Sequence, residues 1–203
     1  MSWDVDMVRI DRTIVIVSLF VALAACGSSP PVHYYTLDPM DSDYRRDDEN
    51  SRVLGFGPLR VPEYLSRDRI VTRGANSEIL VDDFSRWAEP LEDAFHRIAA
   101  ANLDALLDGV VVSAFPYSQI ARLDYQVIGR IDRFDTDEAG NVVLLVQWGV
   151  LTLDSDIVVF PRRVRYETRA SDPHDYGAVS RAMSDAIAAL SRDIAREFEA
   201  AAP

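Results

Sequence analysis

The chain contains no lysine: all 21 of its basic residues are arginine. That absence excludes Schiff-base catalysis and a phosphate-loop lysine. A single cysteine among 203 residues excludes an intramolecular disulfide, Cys-rich zinc sites, CxxC redox chemistry and Cys-ligated clusters. The three histidines, His33, His96 and His174, are far apart and show no metal-ligand spacing. His96, between Phe95 and Arg97 on an expected helix, reads as a partly exposed polar residue. His174, in Ser171-Asp172-Pro173-His174-Asp175, reads as part of a loop leading into a helix. No GxSxG, GxGxxG or GxxxxGK[ST] occurs. Positive charge is also scarce. With 33 acids against 21 arginines the net charge is −12, and a surface of that sign repels nucleic-acid phosphate. Carboxylate neighbours such as Asp47-Asp48 and Asp82-Asp83 are what so acidic a composition produces by itself, not the mark of a glycosidase. These absences leave no catalytic residue, no cofactor site and no metal site to nominate, and the chain reads as a non-enzyme.

What is present begins with Thr13 to Ala25, an uncharged run preceded by Arg9 and Arg12. As a helix it would reach about 20 Å, short of the ~30 Å hydrocarbon core, so it reads as the apolar region of a signal peptide and not as a membrane span. Leu23-Ala24-Ala25-Cys26, followed by Gly27-Ser28-Ser29-Pro30-Pro31, resembles the lipobox of bacterial lipoproteins. Small residues before the scissile bond suit a signal peptidase, and the Gly-Ser-Ser-Pro-Pro sequence breaks any helix. The resemblance implies acylation of Cys26 and cleavage before it, with Leu23, Ala24 and Ala25 as the cleavage signal. Asp4 and Asp6 are out of place in a signal peptide, which makes Met7 the expected true start. Two or more acyl chains anchor a protein stably where one does not. By analogy with lipoprotein sorting, Gly27 in place of Asp favours the outer membrane. The expected organisation is a signal peptide over 1–25, a lipidated tether over 26–32 and one domain over 33–203. Cleavage would leave 30 acids and 19 arginines, so the acidity belongs to the mature protein.

The mature chain reads as an α/β domain, a mixed sheet with two main helices and no internal repeat. Short strands are expected at His33–Leu37 and Val53–Pro58, with a polar acidic loop over Asp38–Asn50 between them. Arg69–Thr72 and Ile79–Val81 flank Gly74-Ala75-Asn76-Ser77 as a hairpin. The spacing of Trp87, Leu91, Ala94, Phe95, Ile98 and Leu106 predicts a helix capped near Ser85, with Pro90 in its first turn and Gly109 at its end. Val110–Val112 then follows as a strand. A strand from Leu123 to Asp132, a loop over Asp135–Asn141 and a strand from Val142 to Leu153 come next. The second of these is apolar on both faces and should be central. Pro161 with Arg162, Arg163 and Arg165 marks Ile157–Thr168 as a bulged or edge strand. Val179, Met183, Ile187, Leu190, Ile194 and Phe198 form the stripe of a carboxy-terminal helix.

One pattern rises above composition. Gly57-Pro-Leu-Arg60-Val-Pro62-Glu-Tyr64-Leu65-Ser-Arg-Asp-Arg-Ile-Val-Thr-Arg73, continuing at Asp83-Phe-Ser-Arg-Trp87-Ala-Glu-Pro-Leu91, resembles the signature of the paraquat-inducible protein C family, the ABC-type transport auxiliary lipoproteins. Tyr35-Thr36-Leu37 and the strand from Val142 to Trp148 match as well. The resemblance implies a fold like the amino-terminal domain of TolB, an outer-membrane lipoprotein facing the periplasm, an MCE-domain partner in the inner membrane, and assembly into homo-oligomers. The implied function is non-enzymatic, as an auxiliary of lipid transport or envelope integrity. An accessory lipoprotein of outer-membrane assembly or lipopolysaccharide export is the alternative. Pro58 and Pro62 stiffen the motif. They leave two readings of it: a docking loop that presents Arg60, Pro62, Tyr64 and Leu65, or a lid in which Tyr64, Leu65 and Trp87 cover the core.

Overall fold

A computed structural model describes residues 30–41, 51–117 and 122–202. The signal peptide, Cys26 with Leu23, Ala24 and Ala25, and most of the acidic loop lie outside the described residues. Val32–Pro203 forms one compact unit. Its strands are β1 (His33–Tyr35), β2 (Arg52–Arg60), β3 (Arg69–Arg73), β4 (Ile79–Trp87), β5 (Val110–Ala114), β6 (Tyr125–Asp137), β7 (Asn141–Thr152) and β8 (Ile157–Arg169). The helices are α1 (Leu91–Leu106) and α2 (Tyr176–Ala201). The expected mixed α/β class is the observed one.

All eight strands form one forked sheet. On one side of β6 the whole strand pairs antiparallel with β7, which pairs antiparallel with β8. On the other side β2 pairs parallel with the first half of β6, from Leu54↔Tyr125 to Arg60↔Arg130. β3 pairs parallel with its end, at Thr72↔Thr136 and Arg73↔Asp137. β5 flanks β2, while β4 and then β1 flank β3. β7 is therefore central, and β8 is both an edge and bulged, with register shifts around Val150.

Both helices lie against the sheet because each carries an apolar stripe at helical spacing. In α1, Leu91, Ala94, Phe95, Ile98 and Leu103 are buried, and in α2 all six stripe residues are. Asp175 caps α2 by accepting the Gly177 amide at 2.8 Å. Trp148 and Val150 on β7, Phe56 on β2 and Phe134 on β6 complete one continuous core.

Three expectations need correction. The first helix does not reach back to Ser85. Residues 85–87 belong to β4, held by β1 through His33↔Ser85 and Tyr35↔Trp87 and by the Trp87 amide donating to the Asp68 carbonyl at 2.6 Å. Pro90 is the N-cap and bars helical geometry at Glu89, so the helix cannot begin earlier. The 135–141 loop is shorter than expected, because β6 runs on to Asp137. The Asp137 carboxylate takes the amides of Ala139 and Asn141, both at 2.9 Å, and closes a tight turn. Finally, His96 is not partly exposed but buried, at 1%.

Candidate functional site

The motif lies at the fork in the sheet. β2 and β3 run in the same direction along one side of β6, and residues between Arg60 and Arg69 make an excursion between them. Pro62 fixes the backbone, and a 3-10 turn follows at Glu63–Leu65, with the Leu65 amide on the Pro62 carbonyl at 2.9 Å. The Val61 amide, which has left the ladder, donates to the Glu92 carboxylate at 3.0 Å and ties the excursion to the first turn of α1.

A buried carboxylate fastens the excursion to the sheet. The Asp135 side chain, on the stretch of β6 that neither β2 nor β3 covers, is fully enclosed. The Tyr64 hydroxyl donates to its Oδ2 at 2.6 Å, Arg73 Nη2 to the same oxygen at 2.7 Å, and Arg133 Nε to its Oδ1 at 2.7 Å. A buried carboxylate is tolerated only when its oxygens are satisfied by such donors. Burial, together with the bond to Asp135, pushes the Tyr64 hydroxyl up to about 12, so it remains a donor at any physiological pH. Arg73 also lies over the Tyr64 ring, 5.5 Å from its centroid.

The two halves of the motif, separated by a hairpin in sequence, meet around a single cleft of about 490 Å³. Val61 and Leu65 from the first half and Trp87 and Leu91 from the second form an apolar floor. Ser66, Arg67, Asp68, Glu89 and Asp93 stand around it. Asp68 is ion-paired with Arg86, and Glu89 with Arg97, so these charges brace the walls. Arg67, Ser66 and Asp93 are exposed.

The candidate docking residues therefore divide. Leu65 is buried in the floor, and Tyr64 is half-buried and bonded inward. Arg60 is exposed and Pro62 half-exposed. What a partner could read is a concave surface with Leu65 and Trp87 at its base, not a protruding Tyr64. Asp135 is a site residue that sequence reasoning placed in a loop. His96 is another that it undervalued: its Nε2 accepts the amide of Leu59, the residue after Pro58 in the motif, at 2.9 Å. Its ring is packed edge-on to Phe56, Phe95 and Phe115. Burial lowers its pKa from the ordinary 6.5, opposed by the Glu92 and Asp93 carboxylates. Among the described residues no group of three His, Cys, Asp or Glu side chains is placed to hold a metal ion.

Comparison with known proteins gives the motif its context. The chain is 26% identical over 129 residues to the intermembrane transport lipoprotein PqiC of Escherichia coli K12, covering 62% of this chain and 67% of that protein. PqiC of Shigella flexneri matches equally. Among solved structures, an uncharacterized protein superposes with a TM-score of 0.69 at 24% identity, over 83% of this chain and 99% of that one. Protein XCC0632 of Xanthomonas campestris gives 0.58 at 20% identity, over 82% and 93%. These two likenesses establish the fold. The model of the ABC-type transport auxiliary lipoprotein component matches residues 35–195, nearly the whole described domain, and the chain belongs to that family.

Proposed function

We propose that the protein is a non-enzymatic auxiliary lipoprotein of an MCE-type lipid-transport or envelope-integrity system. In this reading residues 1–25 are cleaved, Cys26 is acylated and holds the chain in the outer membrane, residues 26–32 form the tether, and the domain faces the periplasm as part of a homo-oligomer. The cleft between Leu65 and Trp87 docks a segment of the inner-membrane MCE-domain partner.

The observation that carries the reading is the convergence of both motif halves on one cleft whose framework is over-determined by Asp135, Glu92 and Asp68. A rigid apolar recess binds without the ordering cost that a mobile loop would incur. Family membership and the similarity to an intermembrane transport lipoprotein support the transport setting.

The test is site-specific photo-crosslinking in cells from Arg67, exposed at the cleft, with Arg192 on α2 as the comparison position. The reading expects an adduct with an MCE-domain protein from Arg67 and none from Arg192. An adduct with an outer-membrane β-barrel would instead favour a role in outer-membrane assembly or lipopolysaccharide export.

A further inference from the structure

Three exposed apolar side chains gather where the domain begins. Val32 is 40% exposed, Tyr34 65% and Phe84 43%. β1 pairs parallel with β4, with Tyr34 opposite Arg86 and His33 opposite Ser85. Side chains alternate along a strand, so Val32 and Tyr34 share one face of β1, with Arg86 opposite Tyr34. Phe84 is exposed on the stretch of β4 that bulges between Val81 and Arg86, next to the residue opposite His33. The opposite face of β1 is used differently: Tyr35 turns toward α2 and meets the ring of Tyr176 at 6.0 Å. The charged side chains of the shared face are ion-paired: Arg86 with Asp68, and Arg69, opposite Arg86 on β3, with Asp83 at 2.7 Å. Among the described residues β1 is an outer strand of the sheet, paired with β4 alone.

Chain length says what covers this patch. Five residues separate Cys26 from Val32, and the six steps between them reach at most about 22 Å. A lipid on Cys26 therefore keeps β1 close to the bilayer whichever way the domain turns. Three partly exposed side chains offer far less than the ~800 Å² per partner that a standard protein interface buries. A surface held by so short a tether, at high effective concentration, needs no such area to stay in contact. Tyrosine and phenylalanine suit the headgroup boundary, where an apolar ring enters the acyl region and a hydroxyl remains hydrated. The arginines beside the patch, Arg69 and Arg86, are held by Asp83 and Asp68, so the contact is carried by the apolar side chains and not by basic residues meeting anionic lipid.

We propose that the β1–β4 edge rests on the bilayer through Val32, Tyr34 and Phe84 and so orients the domain on the membrane that holds its lipid. The inference rests on the acylated Cys26 of the proposed function. It also sets the opposite edge: the strand path β1, β4, β3, β6, β7, β8 spans five inter-strand spacings, about 24 Å, so β8 with its exposed Phe160 points away from the membrane.

The experiment uses the mature chain from Cys26, which contains the whole core. Its sole thiol is coupled to a maleimide-bearing phospholipid in phosphatidylcholine vesicles. Tyr34→Trp, Phe84→Trp and Phe160→Trp variants are compared in vesicles with brominated and with ordinary acyl chains. The buried Trp87 and Trp148 give a common background. Bromine should reduce the added emission of Tyr34→Trp and Phe84→Trp about twofold and leave that of Phe160→Trp unchanged. Equal response at all three positions, or quenching at Phe160→Trp alone, overturns the proposal. So does a shielded Tyr34→Trp that ignores bromine and follows protein density, which would put a second copy there. Because the anchor is attached chemically, failure here is distinct from failure of Cys26 to be acylated in cells, which the mass of the native protein reports.

Discussion

The Tyr64 hydroxyl donates to Asp135 at 2.6 Å and closes the gap that the motif's excursion opens along β6. Two residues 71 positions apart thus fasten to the sheet the excursion that carries Leu65 into the cleft. Asp135→Ala would leave Arg73 and Arg133 facing each other without their shared carboxylate, and the expected loss is about 3–5 kcal/mol. Tyr64→Phe, which removes one donor from a carboxylate that keeps two arginines, should cost about 1–2 kcal/mol. Chemical denaturation of both variants and of the double variant gives the coupling. Additive losses would show that the pair does not act as a unit.

His96 makes stability depend on pH. Its folded pKa is depressed below 6.5, so the unfolded chain takes up a proton first as pH falls. The stabilisation is complete above pH 6.5, declines below it, and is lost once pH passes through the lower folded value. Protonation would also set an N–H on Nε2 against the Leu59 amide that now donates to it. Melting curves between pH 7.5 and 5 should therefore fall for the native chain and fall less for His96→Gln. Parallel curves would remove His96 from the account.

Gly129 lies opposite Trp148 where β6 is packed tightly against the β7 backbone. A Cβ there would sit 2.0 Å from the Gln147 carbonyl oxygen, a backbone atom that cannot swing aside. Gly129→Ala should destabilise the chain by more than about 2 kcal/mol by forcing the two strands apart. Urea midpoints decide it, and a neutral substitution would contradict this strand pairing.

The cleft's rim and floor should separate in their effects. Arg67→Glu alters an exposed side chain and should change stability by less than about 0.5 kcal/mol while reducing partner capture. Leu65→Ala removes a buried floor residue and should cost about 2–4 kcal/mol as well as capture. Unchanged capture by both variants would move the docking surface elsewhere.

Much of this architecture can be read from local pattern. The α2 stripe, the apolar β7 and the Pro- and Arg-marked β8 carry their periods openly, and the lines between them follow. The forked sheet does not, because the parallel pairing of β2 and β3 with β6 is a long-range choice with no local sign. The start of α1 was obscured by Trp87, which fits the helical stripe by spacing but is claimed by β1 and by the Asp68 carbonyl. Asp135 resembled a loop residue because an acid is rarely buried. Only the folded position of Tyr64, Arg73 and Arg133 explains why this one is. The motif was visible as an unusual order of residues, but that its halves face each other across one cleft is a property of the fold.

The central claim is that this domain works as a lipid-anchored auxiliary, and the intact mass of the protein extracted in detergent from membranes tests it most directly. The account predicts a chain beginning at Cys26 and carrying a diacylglyceryl group with a further acyl chain on its amino group, and a Cys26→Ala variant that is uncleaved and displaced from the outer membrane. A mature chain with a free Cys26 thiol, or a Cys26→Ala variant that fractionates normally, would contradict it.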